Sequence, residues 1–230
     1  MRQWGLRADL HIHTRYSDGA ARPEEVLARA AELGLGAVSI TDHDTFEGSV
    51  RAARAATSFG VVVVPGAEVR TNLGDVLVYC PQPIEIRRDV RELIELAHAS
   101  GCVVAAAHPF DLLRLGVGDA LYEINGWDAI EVWNAGASAR SNRRALEAAR
   151  ALGLPGIAGS DAHILDHVGA AYTLILDPCD DAECVIDAIR RGRVRPVPGH
   201  YRPGTMPKRI LWSIEYRVRR ALRGASPDSL

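Results

Sequence analysis

A chain of 230 residues with 47% hydrophobic and 24% charged side chains can build one large globular domain with a core of its own. Its formal net charge of −2 excludes a broadly cationic surface and leaves any attraction to nucleic acid or anionic lipid to local patches. The opening MRQWGLRADLHIHT lacks the apolar stretch of a secretion signal, and no segment reaches the ~20 apolar residues of a membrane helix, so a cytoplasmic protein without a membrane span is expected. In chain order, residues 8–13 read as a strand, and Pro23 opens a helix whose Val26, Leu27, Ala30 and Leu33 share a face. Residues 37–41 form a short buried strand, 46–59 an Ala-rich helix ending at Gly60, and 61–65 a valine-rich strand covered on both faces. A strand at 75–80 precedes a helix at 90–100 closed by Gly101. Further strands are expected at 102–107, 129–133, 155–159, 171–176 and 194–197, with helices at 141–152 and 181–191.

This alternation predicts parallel pairing through crossover helices, in a barrel of roughly seven units, with an open doubly wound sheet as the alternative. No glycine fingerprint for a dinucleotide or a P-loop accompanies it. Cys80, Cys102, Cys179 and Cys184 lack CxxC spacing and are expected to be reduced and structural. Residues 1–200 are read as one domain and 201–230 as a basic amphipathic helix with a frayed tail. There Ile210, Ile214 and Val218 recur at i, i+4 and i+8, with Leu211 and Leu222 nearby, against Lys208, Arg209, Arg217, Arg219, Arg220 and Arg223. A membrane-surface or RNA-contacting helix has this pattern, but so does a terminal helix that lays its apolar stripe on the domain, which is the expectation taken here.

The chemistry lies at the strand ends. His11 and His13 are two apart on the first strand and leave the same face. Asp18 follows in a turn, His43 in TDHD after the second strand, Glu68 in PGAEVR, His108 after 102–107, and Asp161 and His163 after 155–159. In a parallel barrel such ends converge on one mouth, where barrel enzymes carry their catalytic groups. Imidazoles and carboxylates without thiolates suit Zn, Mn or Fe, and so many charges need cations to share a small space. Cations held close together would activate a hydroxide and offset phosphate charge in an in-line displacement. Asp42 and Asp44 are expected either to orient His43 or to cap the following helix. Substrate contacts are expected from Arg15, Asn134, Arg140, Asn142 and Arg143. His167 is read as a residue of the mouth, and His98 and His200 as structural or exposed.

The ordered segments DLHIHTRYSDG, ITDHD, PGAEV, AAHP and GSDAH resemble the successive motifs of the polymerase and histidinol phosphatase (PHP) superfamily over residues 8–200. The resemblance implies a distorted seven-stranded (βα)7 TIM-like barrel with two or three divalent metals and phosphoesterase activity. It implies that His11, His13, Glu68 and Asp161 hold one metal, that Asp18, His43 and His163 hold a second, and that Glu68 with His108 holds a third. Asp75 stands where many relatives carry a further His. Nucleotides or short oligonucleotides are the expected substrates. Histidinol phosphate or another small phosphate ester is the alternative, and a non-catalytic metal-binding module the alternative of another class.

Overall fold

The structure, a computed structural model, describes residues 5–111 and 113–224, with the side chains of 223 and 224 set aside. The opening residues 1–4, the expected frayed end 225–230 and the Arg223 side chain lie outside the described residues. Among the described residues ten strands form: β1 (Leu6–Ile12), β2 (Ala37–Ile40), β3 (Val62–Val63), β4 (Gly66–Arg70), β5 (Asp75–Tyr79), β6 (Val103–Ala106), β7 (Ala129–Asn134), β8 (Gly156–Gly159), β9 (Tyr172–Ile175) and β10 (Val194–Val197). The helices are α1 (Pro23–Glu32), α2 (Glu47–Ala55), α3 (Val90–Ala99), α4 (Ala139–Leu152), α5 (Ala182–Arg190) and α6 (Met206–Gly224). Local chemistry sets several boundaries. Asp89, Ser138 and Asp181 accept backbone N–H groups at the starts of α3, α4 and α5, and Gly153, at φ +66°, ends α4.

Two five-stranded mixed sheets result, ordered β10-β9-β1-β2-β3 and β4-β5-β6-β7-β8, and neither closes on itself. This corrects the (βα)7 TIM-like barrel and the uniformly parallel sheet expected from the sequence. The runs β1-β2-β3 and β6-β7-β8 are parallel, but β5 lies antiparallel to β4 and β6, and β9 antiparallel to β1 and β10. GAEVR is itself a strand, β4, and residues 71–74 after it suffice for a hairpin but not for the dozen or more residues of a parallel crossover. Between β8 and β9 lies a 3-10 turn at Leu165–His167 and no helix, so β9 doubles back against β1.

Side chains from both sheets share one interior, including Leu10 and Ala37 from the first and Leu77, Tyr79, Val103 and Ile157 from the second. Tyr79 crosses it, its hydroxyl donating to Leu10 O at 2.9 Å. Helices α3 and α4 cover the outer face of the second sheet, and α1 and α2 that of the first. Two isolated bridges mark where the sheets approach each other, Ile12 with Ala162 and His43 with Glu68.

Two further expectations are corrected. The cysteines are not free: Cys80 is bonded to Cys102 and Cys179 to Cys184. The antiparallel register pairs Tyr79 with Val103, which brings Cys80 opposite Cys102 with Cα atoms 4.2 Å apart, a proximity that their separation along the chain conceals. Nor does α6 lay its apolar stripe on the domain. Ile210, Leu211, Ile214, Val218 and Leu222 are exposed, and the helix instead docks through Trp212, whose indole N–H donates to Asp18 O at 2.7 Å, and Lys208, 2.7 Å from Asp166. Among the described residues no helix is long and apolar enough to cross a membrane.

Candidate metal centre

The site lies where the two sheets approach each other. β1 loses regular register between Asp9 and Ile12, and its His11 and the following His13 are buried. Asp9 holds this stretch against the segment after β8, accepting the N–H of Ser160 at 3.0 Å and of Gly169 at 2.8 Å. Asp42 accepts the Thr14 N–H at 2.7 Å and the Ser17 hydroxyl at 2.6 Å, which fixes the turn that presents Asp18. Neither expected role of Asp42 and Asp44 is thus observed, since Asp44 instead accepts the Arg70 N–H and pairs with Arg88 at 2.6 Å. Asp44, His108 and Asp161 all have positive φ, at +58°, +28° and +53°. Strained backbone at non-glycine residues is maintained only where the surroundings enforce it, and two of these three point candidate ligands into the site.

Among the described residues three sets of donor atoms converge: His13, Asp18, His43 and His163; His11, Glu68 and His108; and His11, His13 and Asp161. Glu68 lies at the centre, with Oε2 at 3.2 Å from His13 Nε2 and 3.1 Å from His43 Nδ1, and Oε1 at 2.9 Å from His108 Nε2. Asp161 Oδ1 is 3.3 Å from His13 Nε2, and Asp18 Oδ1 is 3.2 Å from His163 Nε2. The eight residues His11, His13, Asp18, His43, Glu68, His108, Asp161 and His163 therefore meet in one place. Asp75 is buried at the start of β5, beside the end of β6 because β5 is antiparallel, but it joins none of the three converging sets.

The electrostatics are those of carboxylates in need of positive charge. Burial opposes the charge of Glu68 and of Asp161. It is outweighed at Glu68 by the imidazoles of His11 and His43 and at Asp161 by Arg114 and His11, so both carboxyls are held well below the usual range. The same outcome holds for Asp18 beside His163 and His13. In return, and again against burial, Glu131 and Glu68 hold the His11 imidazole well above its ordinary range, and Asp161 and Glu68 bring His13 up to about 10. Asp75 is pushed up to about 6 by burial and by Glu68. The buried atoms Asp18 Oδ1, His43 Nδ1 and His108 Nδ1 make no hydrogen bond among the described residues. Convergent imidazole and carboxylate donors that draw in protons to balance their charge fit divalent cations.

Several supporting residues were not singled out from the sequence. Glu131, buried on β7, accepts from His11 Nδ1 at 2.9 Å, from the His108 N–H at 2.8 Å and from Asn134 Nδ2 at 3.2 Å. A Cβ on Gly159 would stand 2.5 Å from His11 Cβ, so the bare glycine makes room for that ring. Arg114 donates to Asp161 Oδ2 at 2.7 Å and to Asp111 Oδ2 at 2.8 Å, and the Tyr201 hydroxyl donates to the backbone carbonyl of Asp161 at 3.0 Å. The only trace of Glu131 in the sequence is an acid inside an apolar strand run, and Arg114 leaves none.

The expected substrate residues fall in different places. Asn134 and Asn142 are buried: the Asn142 amide bonds the backbone N–H and carbonyl of Asn134, and the Asn134 amide donates to Glu131 and accepts the Gly136 N–H. Arg140 lines a cavity of about 480 Å³ with Phe110, Arg114 and Arg144, while Arg143 is exposed on α4. Arg15 lines a separate groove with residues of α6. His167 lies under Tyr201, His98 pairs with Asp128 at 2.9 Å, and the His200 ring packs edge-on against Trp133.

Comparison with known proteins agrees with this geometry. The chain is 32% identical over 142 residues to an uncharacterized protein of Methanocaldococcus jannaschii, covering 56% of this chain and 82% of that one. It is 38% identical over 132 residues to an error-prone DNA polymerase of Mycobacterium bovis, covering 52% of this chain but only 12% of the polymerase. Among solved structures it resembles a two-domain protein of Bacteroides vulgatus containing a predicted PHP-like metal-dependent phosphoesterase, with a TM-score of 0.72 at 19% identity over 84% of this chain and 65% of that one. The family model of the PHP domain matches residues 9–114 and that of the PHP-associated region residues 139–194. With both family models in order along it and the donor sets assembled from their motifs, the chain belongs to the PHP family.

Proposed function

We propose that this protein is a metal-dependent phosphoesterase that hydrolyses nucleotides or short oligonucleotides. The observation that carries the reading is the convergence of three sets of His, Asp and Glu donors on shared residues, His11 and His13. A purely structural site needs about four closed ligands, and this one exceeds that number and opens outward at Asp18 and His43. In the reading, His11, His13, Glu68 and Asp161 would hold one cation, Asp18, His43 and His163 a second, and Glu68 with His108 a third, with Asp75 beside it. Divalent manganese, zinc or iron bound there supplies Lewis acidity toward a phosphate ester and its attacking water.

The chain's own residues prepare that chemistry. Glu131 faces His11 Nδ1 and so turns Nε2 toward the space it shares with Glu68 and Asp161, where a cation would take the place of the Nε2 proton. Arg114 occupies Asp161 Oδ2 and leaves Oδ1 facing His13 and His163. Depth separates roles: Glu68 is 1% exposed, whereas Asp18 is 26% and His43 15% exposed, so substrate and water enter from the Asp18–His43 side.

The test is phosphate release by purified, manganese-loaded protein from a panel of nucleotides and short oligonucleotides, with histidinol phosphate alongside. Turnover of the panel, abolished in His11→Ala and Asp161→Ala that still fold, supports the reading. Turnover of histidinol phosphate alone moves the assignment to a small-molecule phosphatase. Inactivity toward every ester, with loss of folding when His11 is replaced, moves it to a non-catalytic metal-binding module.

A further inference from the structure

α6 turns the expected side of an amphipathic helix outward, and the face it keeps toward the body is cationic and aromatic. Between that face and the turn after β1 lies a groove of about 360 Å³, lined by Arg15, Trp212, Tyr216, Arg219 and Arg220 together with Ser17 and Gly19. Ser17 and Gly19 flank Asp18, and Asp18 points its carboxylate at His43 and His163. The groove therefore begins one residue from the solvent-facing half of the metal centre. Trp212 is fixed at this junction by its bond to Asp18 O, with Tyr216 one turn further along, ring centroids 6.3 Å apart. The Arg219 guanidinium lies 6.0 Å from the Trp212 ring.

Flat rings with guanidinium groups beside them suit one ligand chemistry, a base that stacks and a phosphate that takes charged hydrogen bonds. We propose that this groove binds the nucleoside portion of a nucleotide substrate, the base on Trp212 and Tyr216 and the next phosphate along the strand at Arg219 and Arg220. The proposal rests on the phosphoesterase reading for the phosphate at the metal centre, but the groove itself is made of protein side chains alone. The exposed apolar stripe on the opposite face of α6 takes no part in it.

Equilibrium titration in EDTA, with ribose 5-phosphate, AMP and the dinucleotide pApA as probes, separates the two claims. Stacking of one base is worth ~1–3 kcal/mol, so AMP should bind about tenfold more tightly than ribose 5-phosphate, and pApA more tightly than AMP. Tyr216→Ala should collapse the first preference to under about twofold, and Arg220→Glu the second, each in protein whose circular dichroism matches wild type. Equal affinity of the wild type for all three probes overturns the proposal, as does survival of both preferences in the variants. If the preferences hold while manganese-loaded protein hydrolyses no ester, the metal-centre reading fails and the groove stands. If esters are hydrolysed without any preference, the groove fails and that reading stands.

Discussion

His11 keeps its ring orientation through one carboxylate, Glu131 Oε1 at 2.9 Å, while Glu131 Oε2 accepts from the His108 N–H and from Asn134. Glu131→Gln preserves the volume but replaces one oxygen with an amide donor, so whichever way the group turns, an N–H on one side faces another donor. Partners of this kind behind a metal ligand are worth 10–100-fold in affinity, and manganese binding should weaken by about that factor, measured as free manganese by electron paramagnetic resonance. An affinity equal to wild type would count against Glu131 as the residue that orients His11. His167 argues a different effect. Burial, aided by the Arg209 cation and by His163 and opposed by Asp166 and Asp161, brings its imidazole down to about 4 from 6.5. A folded-state value below the unfolded one means that the unfolded chain takes up the proton first as pH falls. The contribution is thus fully present above pH 6.5 and is lost progressively between 6.5 and about 4. Melting temperatures taken across that window should fall less steeply for His167→Gln than for wild type.

Elements set what those residues can reach. α6 is held to the body by few polar contacts, of which the indole N–H of Trp212 on Asp18 O is the innermost. Trp212→Phe keeps the ring and removes that donor, so local opening of α6 should become easier by about 1 kcal/mol, seen as faster hydrogen exchange of α6 amides with the α3 and α4 amides unaffected. The strands explain what could be read beforehand. His11 and His13 were legible because a strand has period two, and His43, His108 and Asp161 because each follows an apolar run that ends. Glu68 is expected just beyond a parallel strand, but it is the middle residue of β4, whose antiparallel partner β5 carries Asp75 in from the opposite direction. Strand direction is decided by which edges pair, and no local pattern encodes that. A buried acid in a strand, such as Glu131, and an arginine in a loop, such as Arg114, have no periodicity to betray them. The helical wheel of α6 showed two faces but not which of them the domain would choose. It chose the aromatic one, because Asp18 O and Asp166 offer partners there.

At the scale of the molecule, the donors are divided between the two sheets. His11 comes from β1 in one, and Glu68 and His108 belong to β4 and the end of β6 in the other. The sheets share an interior of aliphatic side chains and the Tyr79 bond, but at the mouth the approach consists of the bridges of Ile12 with Ala162 and His43 with Glu68, set among buried charges. A cation gripped from both sides cannot stay bound when either sheet opens, so its binding free energy should appear in global unfolding rather than in local fraying. Linkage sets the size: a single site gains about 2.7 kcal/mol when the free cation stands at 100 times its dissociation constant. The urea midpoint should therefore climb with the logarithm of manganese concentration and fall back on chelation, with the slope of the transition little altered. Asp161→Ala should flatten that climb, because it removes a carboxylate that faces both His11 and His13. A midpoint indifferent to manganese in wild type would mean that the two sheets are not joined through these ligands.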